Sequence, residues 1–398
     1  MSQSDEFRYT HEHPQLGVEP LDTKRYYSET FFEQEREKIF KHCWLNIGRE
    51  EEIPEPGDYI VRELEICKTS VLVVRGKDGQ IRAFHNMCSH RANPVAWDER
   101  GHCPGVFVCR FHAWSYDTEG KLVSITDKDR FFDVKKEENG LTPISLDSWS
   151  GFIFINLQAE PEQSLAEFLS PADEAMKGYP FDKLSYTYFY KIKEKVNWKL
   201  LQEAQQEGWH LPYLHKNTLA KSATNSGELF RHAAVKCYGK HGLVSSHAPR
   251  DYKPSPSAAV SMKFGTGTFD AFAIEDEKDE SANDFVWHGA FDLYHVFPNM
   301  FIGLLRGSFF TYHIWPLSVD ESIWEVRFYY PKAKNAGELF ALEYGKAGLR
   351  DALREDSFTH EKVQSVIASG AKEVLHFQDE ELVLRNFNHF VDEYVNKV

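Results

Sequence analysis

The sequence predicts an α+β protein, with an all-β domain over residues 44–160 and, over residues 161–398, helices packed on an antiparallel sheet. Three observations support this. Between Trp44 and Leu157, short β-rich runs such as 71–74 and 151–156 are separated by the turn pairs Asp78-Gly79 and Glu119-Gly120, the pattern of successive hairpins. Beyond Pro180, aromatic-rich strand runs at 186–190, 308–312 and 324–330 alternate with stretches of helical period. At 398 residues the chain is also too long for one ordinary core, whereas two domains can each bury an apolar interior.

The elements follow in order. Residues 1–43 form an N-terminal helical segment expected to pack on the second domain; over 26–40 the apolar residues fall at helical spacing, with Ser28 placed as an N-cap. The all-β block comes next, and residues 160–180 read as the connection out of it. The acidic, Gly- and Ser-containing stretch 249–283 reads as a long loop. No internal repeat is visible.

Composition excludes several classes of function. Sixty-one acidic against 46 basic side chains give a formal charge of -15, which repels a polyanion, so nucleic acid is not an expected partner. No apolar run approaches the roughly 18 residues needed to cross a bilayer. The start, Met1 to Glu6, lacks the basic and apolar regions of a secretion signal, so the cytoplasm is the expected location. Six cysteines in so long a chain argue against a disulfide framework and direct attention to metal binding.

Two cysteines are paired with histidines. Cys88-Ser89-His90 and Cys109-Arg110-Phe111-His112 each place a thiol and an imidazole close enough for one short loop to present both. Two such loops, read as hairpin tips, can grip one centre. Two thiolates on one iron and two neutral imidazoles on the other make a Rieske cluster; the same four ligands could instead hold a tetrahedral zinc ion. Cys43, Cys67, Cys103 and Cys237 have no histidine at either spacing and read as small buried hydrophobes.

A second constellation lies in the run from Asn197 to His215. Read as one helix, Val196, Leu200, Glu203, Glu207 and His210 recur at steps of four and three and share a face. Two carboxylates and an imidazole on an inward face are costly to bury unless a metal or a partner compensates them. His215, about 140° further round an ideal helix, reaches the same point only if Pro212 bends or ends the helix. In the late helix Leu349, Leu353, Asp356, His360, Val363 and Ile367 form a stripe from which Asp356 points inward, while Glu355 is rotated by about 100° and faces elsewhere. Two histidines and one carboxylate are the ligand set of a non-haem iron that activates dioxygen, and His360 rivals Asp356 as the third member.

These runs resemble one family. The Cys-x-His-Arg run, then Cys-x-x-His with Trp114, Tyr116, Asp117 and Glu119-Gly120, is similar to the cluster-binding pattern of Rieske non-haem iron oxygenases, the ring-hydroxylating oxygenase alpha subunits. The Asn197-Trp198-Lys199 to His215 run and the Glu355-Asp356 to Val363-Gln364 run resemble the catalytic domain of that family, nearest the branch containing quaternary-amine oxygenases. Ala92 and Ala113 depart from the usual Gly, and Arg110 from the usual Pro. Ala204 and Trp209 stand where Asn and Tyr are common.

The resemblance implies a 2Fe-2S Rieske cluster on Cys88, His90, Cys109 and His112, in a Rieske domain joined to a helix-grip-like catalytic domain. It implies a mononuclear Fe(II) on His210, His215 and Asp356, and a bridging role for Glu207, which would couple His112 of one chain to His210 of the next in a head-to-tail trimer. It further implies a terminal oxygenase that takes electrons from a reductase or ferredoxin and uses O2 to hydroxylate an aromatic or related small organic compound, as in aromatic hydrocarbon catabolism. A small beta subunit can accompany such chains. No G-x-G-x-x-G follows a strand and no further cysteine quartet is present, so the primary reductant must be bound by a partner.

Trp209, Tyr213, His295, Phe297, Asn299 and Phe301 are the candidates for the substrate pocket. An aromatic lining suits a flat apolar substrate and equally a quaternary ammonium group, so ring hydroxylation and oxidative N- or O-demethylation both remain open. Two further readings stand beside these: an electron-transfer protein with an idle second domain, and a zinc-stabilised binding module.

Overall fold

A computed structural model of the chain describes residues 8–184, 186–219, 231–247, 253–265, 285–289 and 291–397. The chain divides into two compact units, residues 36–168 and residues 1–35 with 169–398. The boundaries read from the sequence pattern fall at 44 and 160.

The unit 36–168 is all-β. Strands β1 (Leu45–Arg49), β2 (Asp58–Leu64), β3 (Thr69–Arg75), β4 (Ile81–His85), β5 (Arg100–His102), β9 (Pro143–Trp149) and β10 (Phe152–Asn156) form one antiparallel sheet in the order β1-β10-β9-β4-β3-β2-β5. A smaller sheet holds β6 (Val106–Val108), β7 (Ser115–Asp117) and β8 (Leu122–Ser124) in sequential order. The hairpin turns lie at the two Gly-containing pairs. Gly79 and Gly120 have φ of 81° and 82°, and a Cβ on Gly120 would come within 2.4 Å of the Phe84 ring. Leu72, Val74, Phe84, Trp114, Tyr116 and Leu122 form a core that also includes Cys88 and Cys109.

The second unit is built on a seven-stranded antiparallel sheet. Its strands are β11 (Tyr186–Glu194), β12 (His232–Tyr238), β13 (His241–Ser246), β14 (Phe291–Val296), β15 (Met300–Leu305), β16 (Ser308–Ser318) and β17 (Glu321–Tyr330), in the order β11-β17-β16-β15-β14-β13-β12. Its helices include α1 (Glu29–Glu35), α2 (Trp198–Ala204), α3 (Leu211–Leu214), α4 (Pro256–Phe264), α5 (Ala336–Ile367) and α6 (Leu382–Asn396). The stretch 249–283 thus contains helix α4; residues 249–252 and 266–283 lie outside the described residues.

The predicted first helix is shorter than its periodicity suggests. Ser28 Oγ accepts the Phe31 N–H at 3.3 Å at its start, and after Glu35 the chain widens into a π turn over Arg36–Phe40. In α5 the inward stripe includes Leu349, Leu353, Asp356, His360 and Ile367, but Val363 is exposed. Gln364 is buried in its place because its amide oxygen accepts the Asn197 N–H at 2.9 Å. No helix among the described residues is long and apolar enough to cross a membrane.

Candidate metal centres

The two Cys-His loops share one backbone design. In the first, the Cys88 N–H bonds the Asn93 carbonyl and the Ala92 N–H bonds the Cys88 carbonyl, each at 2.9 Å. In the second, the Cys109 N–H bonds the Trp114 carbonyl and the Ala113 N–H bonds the Cys109 carbonyl, again at 2.9 Å. The second loop is the tip of the β6–β7 hairpin; the first is a turn of the same closure following β4. Each closure needs a left-handed residue four positions after its cysteine, and Ala92 and Ala113 supply it with φ of 56° and 58°. That explains why glycine is the easier residue there.

The loops bring their side chains together. The His90 and His112 rings lie 4.5 Å apart, and the indole of Trp114 stacks on His90 at 5.1 Å. Tyr116 Oη lies 3.2 Å from Cys88 Sγ and accepts the Ser89 N–H at 2.9 Å, and the Asn93 amide donates to Cys109 Sγ at 3.6 Å. Burial pushes the Cys88 thiol above its ordinary range. Burial also acts on Cys109, but the Phe111 and His112 N–H groups overcome it and hold that thiol below its ordinary range.

The test of fit is the imidazoles: Nδ1 of His90 and Nδ1 of His112 are both buried without a hydrogen-bond partner. Buried polar atoms are rarely left so. Two thiols and two unpartnered imidazole nitrogens at one place fit a Rieske centre. Cys43, Cys67 and Cys103 are buried, and burial drives the Cys67 thiol up to about 12.

The second site departs from the single long helix read in the sequence. Helix α2 ends at Ala204, and residues 205–210 form turns before the short α3, which carries Pro212 in its first turn. Glu203 therefore does not share a face with Glu207 and His210. It accepts the Tyr26 hydroxyl and the Asn388 amide, each at 2.8 Å, and burial pushes its carboxyl up. The turns let His215 and His210, the latter held by Glu207, meet α5.

There His210 Nε2, His215 Nε2 and Asp356 Oδ1 converge. His210 Nε2 lies 3.2 Å from His215 Nε2, and His215 Nε2 and His210 Nε2 lie 3.0 and 3.8 Å from Asp356 Oδ1. His215 and Asp356 are buried. The other nitrogen of each ring is held by a carboxylate: His210 Nδ1 by Glu207 Oε1, and His215 Nδ1 by Glu355 Oε2 at 2.9 Å.

A carboxylate on Nδ1 keeps the proton there, so both Nε2 lone pairs face each other and the Asp356 oxygen. Three electron-rich atoms this close require a positive charge between them, a proton or a metal ion. Burial pushes the His210 imidazole down, but the Glu207 and Asp356 carboxylates outweigh it and hold His210 above its ordinary range. Two imidazoles and one carboxylate are the donor set of a non-haem iron site, so these residues fit one. The ligand atoms of these three residues all lie within 4.8 Å of one another.

His360, the rival to Asp356, is turned to a different partner. Its Nδ1 lies 3.2 Å from Glu194 Oε2, and Ser357 Oγ donates to the other oxygen of that carboxylate at 2.6 Å. The Asn197-Trp198-Lys199 run anchors the segment. Asn197 Oδ1 caps α2 on the Lys199 N–H at 3.0 Å, Trp198 Nε1 donates to Glu35 at 3.0 Å, and Lys199 Nζ pairs with Glu35 at 2.6 Å, fully buried.

Two residues escaped the sequence reading. Glu355, expected to face elsewhere, holds His215; its position beside Asp356 gave no periodic signal. Glu381, at the start of α6, accepts the Gln378 N–H at 2.5 Å. Burial drives its carboxyl up to about 7, with the nearby Glu207 charge adding to the rise and the Trp209 indole opposing it.

Of the six pocket candidates, Trp209 and Tyr213 flank the triad ligands in sequence and are 43% and 57% exposed. His295, Phe297, Asn299 and Phe301 are buried in the sheet's packing. Phe387 of α6 meets the His295 ring edge-on at 5.3 Å, and Tyr394 stacks on Phe297 at 5.4 Å. Burial drives His295 down to about 3, keeping it neutral.

Two family models match the chain. The Rieske [2Fe-2S] domain matches residues 43–141, and the ring hydroxylating alpha subunit (catalytic domain) matches residues 181–397, more than half of the chain. The chain belongs to the ring-hydroxylating alpha subunit family. It carries both the Rieske domain and the catalytic domain of that family.

Among relatives, a glycine betaine monooxygenase oxygenase subunit of Pseudomonas aeruginosa is 35% identical over 49% of this chain and 44% of its own length. The 2-aminobenzenesulfonate 2,3-dioxygenase subunit alpha of Alcaligenes sp is 28% identical over 72% of this chain and 68% of its own length. The chain spans about half the length of the glycine betaine and carnitine monooxygenase subunits it matches.

Solved folds agree. Naphthalene 1,2-dioxygenase from Rhodococcus sp. superposes with a TM-score of 0.76 at 22% identity over 98% of each chain. A quaternary ammonium Rieske monooxygenase, described in connection with carnitine oxidation and inter-subunit electron transfer, superposes with a TM-score of 0.75 at 19% identity over 94% of this chain and 95% of that one. The α+β architecture, a Rieske domain with a helix-and-antiparallel-sheet catalytic domain, is that of the family.

Proposed function

We propose that this chain is the terminal oxygenase of a Rieske system, taking electrons from a separate reductase or ferredoxin and using O2 to hydroxylate a small aromatic or related organic compound. The observation that carries the reading is the convergence of His210, His215 and Asp356, with each imidazole backed by its own glutamate. Cys88, His90, Cys109 and His112 would hold the cluster, and His210, His215 and Asp356 the iron. When bound, the cluster supplies single electrons and the iron supplies open coordination positions.

The rest of the work falls to this chain's residues. Glu207 and Glu355 fix both rings with Nε2 toward the triad. Asp356 brings one negative charge to a buried point. Glu207 also carries the proposed bridge to His112 of a neighbouring subunit in a head-to-tail trimer, so that turnover would require the assembly. Trp209 and Tyr213, next to the ligands in sequence and partly exposed, are proposed substrate contacts, and His295, Phe297, Asn299 and Phe301, buried in the sheet's packing, are proposed as further lining.

A second reading is oxidative demethylation or monooxygenation of a quaternary ammonium compound. It is supported by the likeness to glycine betaine and carnitine monooxygenase subunits, and a buried row of rings is compatible with it: Tyr312, whose hydroxyl is pushed well up by burial and by the Tyr190 and Asp356 charges, lies 4.8 Å from Phe310 and 5.2 Å from Trp324. Aromatic faces suit both flat rings and cations.

The experiment supplies the metal-loaded chain with electrons from a surrogate reductase under isotopically labelled O2, with panels of flat aromatics and of quaternary ammonium compounds. Two labelled oxygens in a product support dihydroxylation, and formaldehyde release supports demethylation. Loss of iron from the triad during purification, with the cluster intact and no product from either panel, supports an idle electron carrier instead.

A further inference from the structure

The two carboxylates behind the triad are held in different ways. Glu207 lies three residues before His210 and accepts that residue's backbone N–H at 3.2 Å as well as its ring. Glu355 comes from a distant part of the chain, next to Asp356 on α5. Its Oε2 lies 2.9 Å from His215 Nδ1 and accepts the Thr218 hydroxyl at 2.6 Å.

We propose that Glu355, locked by Thr218, is the positioning residue for His215, so that consecutive residues of α5 clamp one imidazole from both edges: Glu355 at Nδ1 and Asp356 beside Nε2. The proposal rests on reading the triad as an iron site. Consecutive helical residues point about 100° apart, yet both reach His215, which requires the ring to lie along the edge of α5. The side chain of His215 is only 2% exposed, so water has little access to replace the carboxylate at Nδ1.

The consequence is a choice of tautomer. With Glu355 in place the proton sits on Nδ1 and the Nε2 lone pair faces the triad. Without it, the Nε2–H tautomer gains an acceptor in His210 Nε2, 3.2 Å away, with the Asp356 Oδ1 charge 3.0 Å off. That proton would occupy the very point where a metal binds. Thr218 acts one step further out, fixing the Glu355 oxygen that faces the ring.

The test uses the full chain with its cluster oxidised and the triad emptied by chelation, titrated anaerobically with Co(II). Binding is read from the high-spin Co(II) paramagnetic resonance signal. Glu355→Ala is expected to weaken Co(II) binding about 10- to 100-fold and to alter the signal. Glu355→Gln should recover much of the affinity and the native signal, because its amide oxygen still accepts the Nδ1 proton. Thr218→Val should show a smaller loss in the same direction.

The thermal midpoint and the cluster spectrum serve as folding controls. If Glu355→Ala fails to fold, Glu355→Asp, whose shorter side chain withdraws the carboxylate, replaces it with the same expectation. Native affinity and signal in the alanine or aspartate variant, while His215→Ala binds no Co(II), overturn the proposal and leave the triad standing. Native binding in His215→Ala overturns the triad itself.

Discussion

The loops around Cys88 and Cys109 and the triad of His210, His215 and Asp356 each gather metal-binding atoms, but they do so in contrasting ways. The loops draw all four groups from residues 88–112 and use the same backbone closure twice. Their rings lie among aromatic residues and arginines, with Arg91 over Phe111 and Arg110 over Trp97, each at 5.1 Å. The triad joins two short turns to a helix some 140 residues later and sits among carboxylates, with Glu207, Glu355 and Glu381 all close by. A site made by backbone closure needs little beyond its own loop. A site made by tertiary packing depends on residues that orient the ligands without being ligands.

That contrast can be tested, beginning with the largest effect. Glu207→Gln keeps a hydrogen-bond acceptor for His210 but removes the charge proposed to link two metal sites. Turnover should fall about 100-fold with both metals still bound, measured as product formed per chain alongside the iron content. Nearly native turnover would reduce Glu207 to an ordinary orienting residue and remove the argument for coupling between subunits.

The next effect concerns stability against pH. The Glu381 carboxyl is raised from 4.5 to about 7 in the folded chain, so between those values the folded state holds a proton that the unfolded state has released. Its stabilisation is fully present below about pH 4.5 and is lost as pH rises through about 7, amounting to at most about 3 kcal/mol. Glu381→Gln should flatten that part of the profile, as measured by denaturant unfolding from about pH 5 to 8. An unchanged slope would show that Glu381 is already ionised beside Glu207.

The smallest effect belongs to the loops. Ala92→Gly and Ala113→Gly relieve left-handed backbone at φ 56° and 58°, and each should stabilise its loop by about 0.5–1 kcal/mol. The readout is a higher temperature for loss of the cluster's visible circular dichroism. The same substitution at Ala204, in a helix, should lower stability by a similar amount.

The same contrast explains what the sequence made legible. The proposed cluster ligands are readable as a group because loop closure is local: cysteine and histidine spacing sets the geometry. The hairpin turns, the aromatic strands and the inward Asp356 were readable from period and glycine placement. The helical period misplaces Glu203 because it runs on through residues 205–210, where the backbone instead turns to deliver His210 and His215. Glu355 was missed because its role depends on where another segment crosses α5, and that crossing leaves no periodic trace. Glu381 and the Glu35–Lys199 pair are likewise products of packing between elements far apart in the chain.

On the proposed reading one chain holds a Rieske cluster and, separately, an iron on His210, His215 and Asp356. The most direct test is to purify the chain anaerobically, count iron and acid-labile sulfide, and record the reduced spectrum beside that of His210→Ala. About three irons and two sulfides per chain are expected, falling by one iron in the variant with the Rieske signal unchanged. About two irons and two sulfides in both proteins, even after iron is supplied, would contradict it and leave only the cluster.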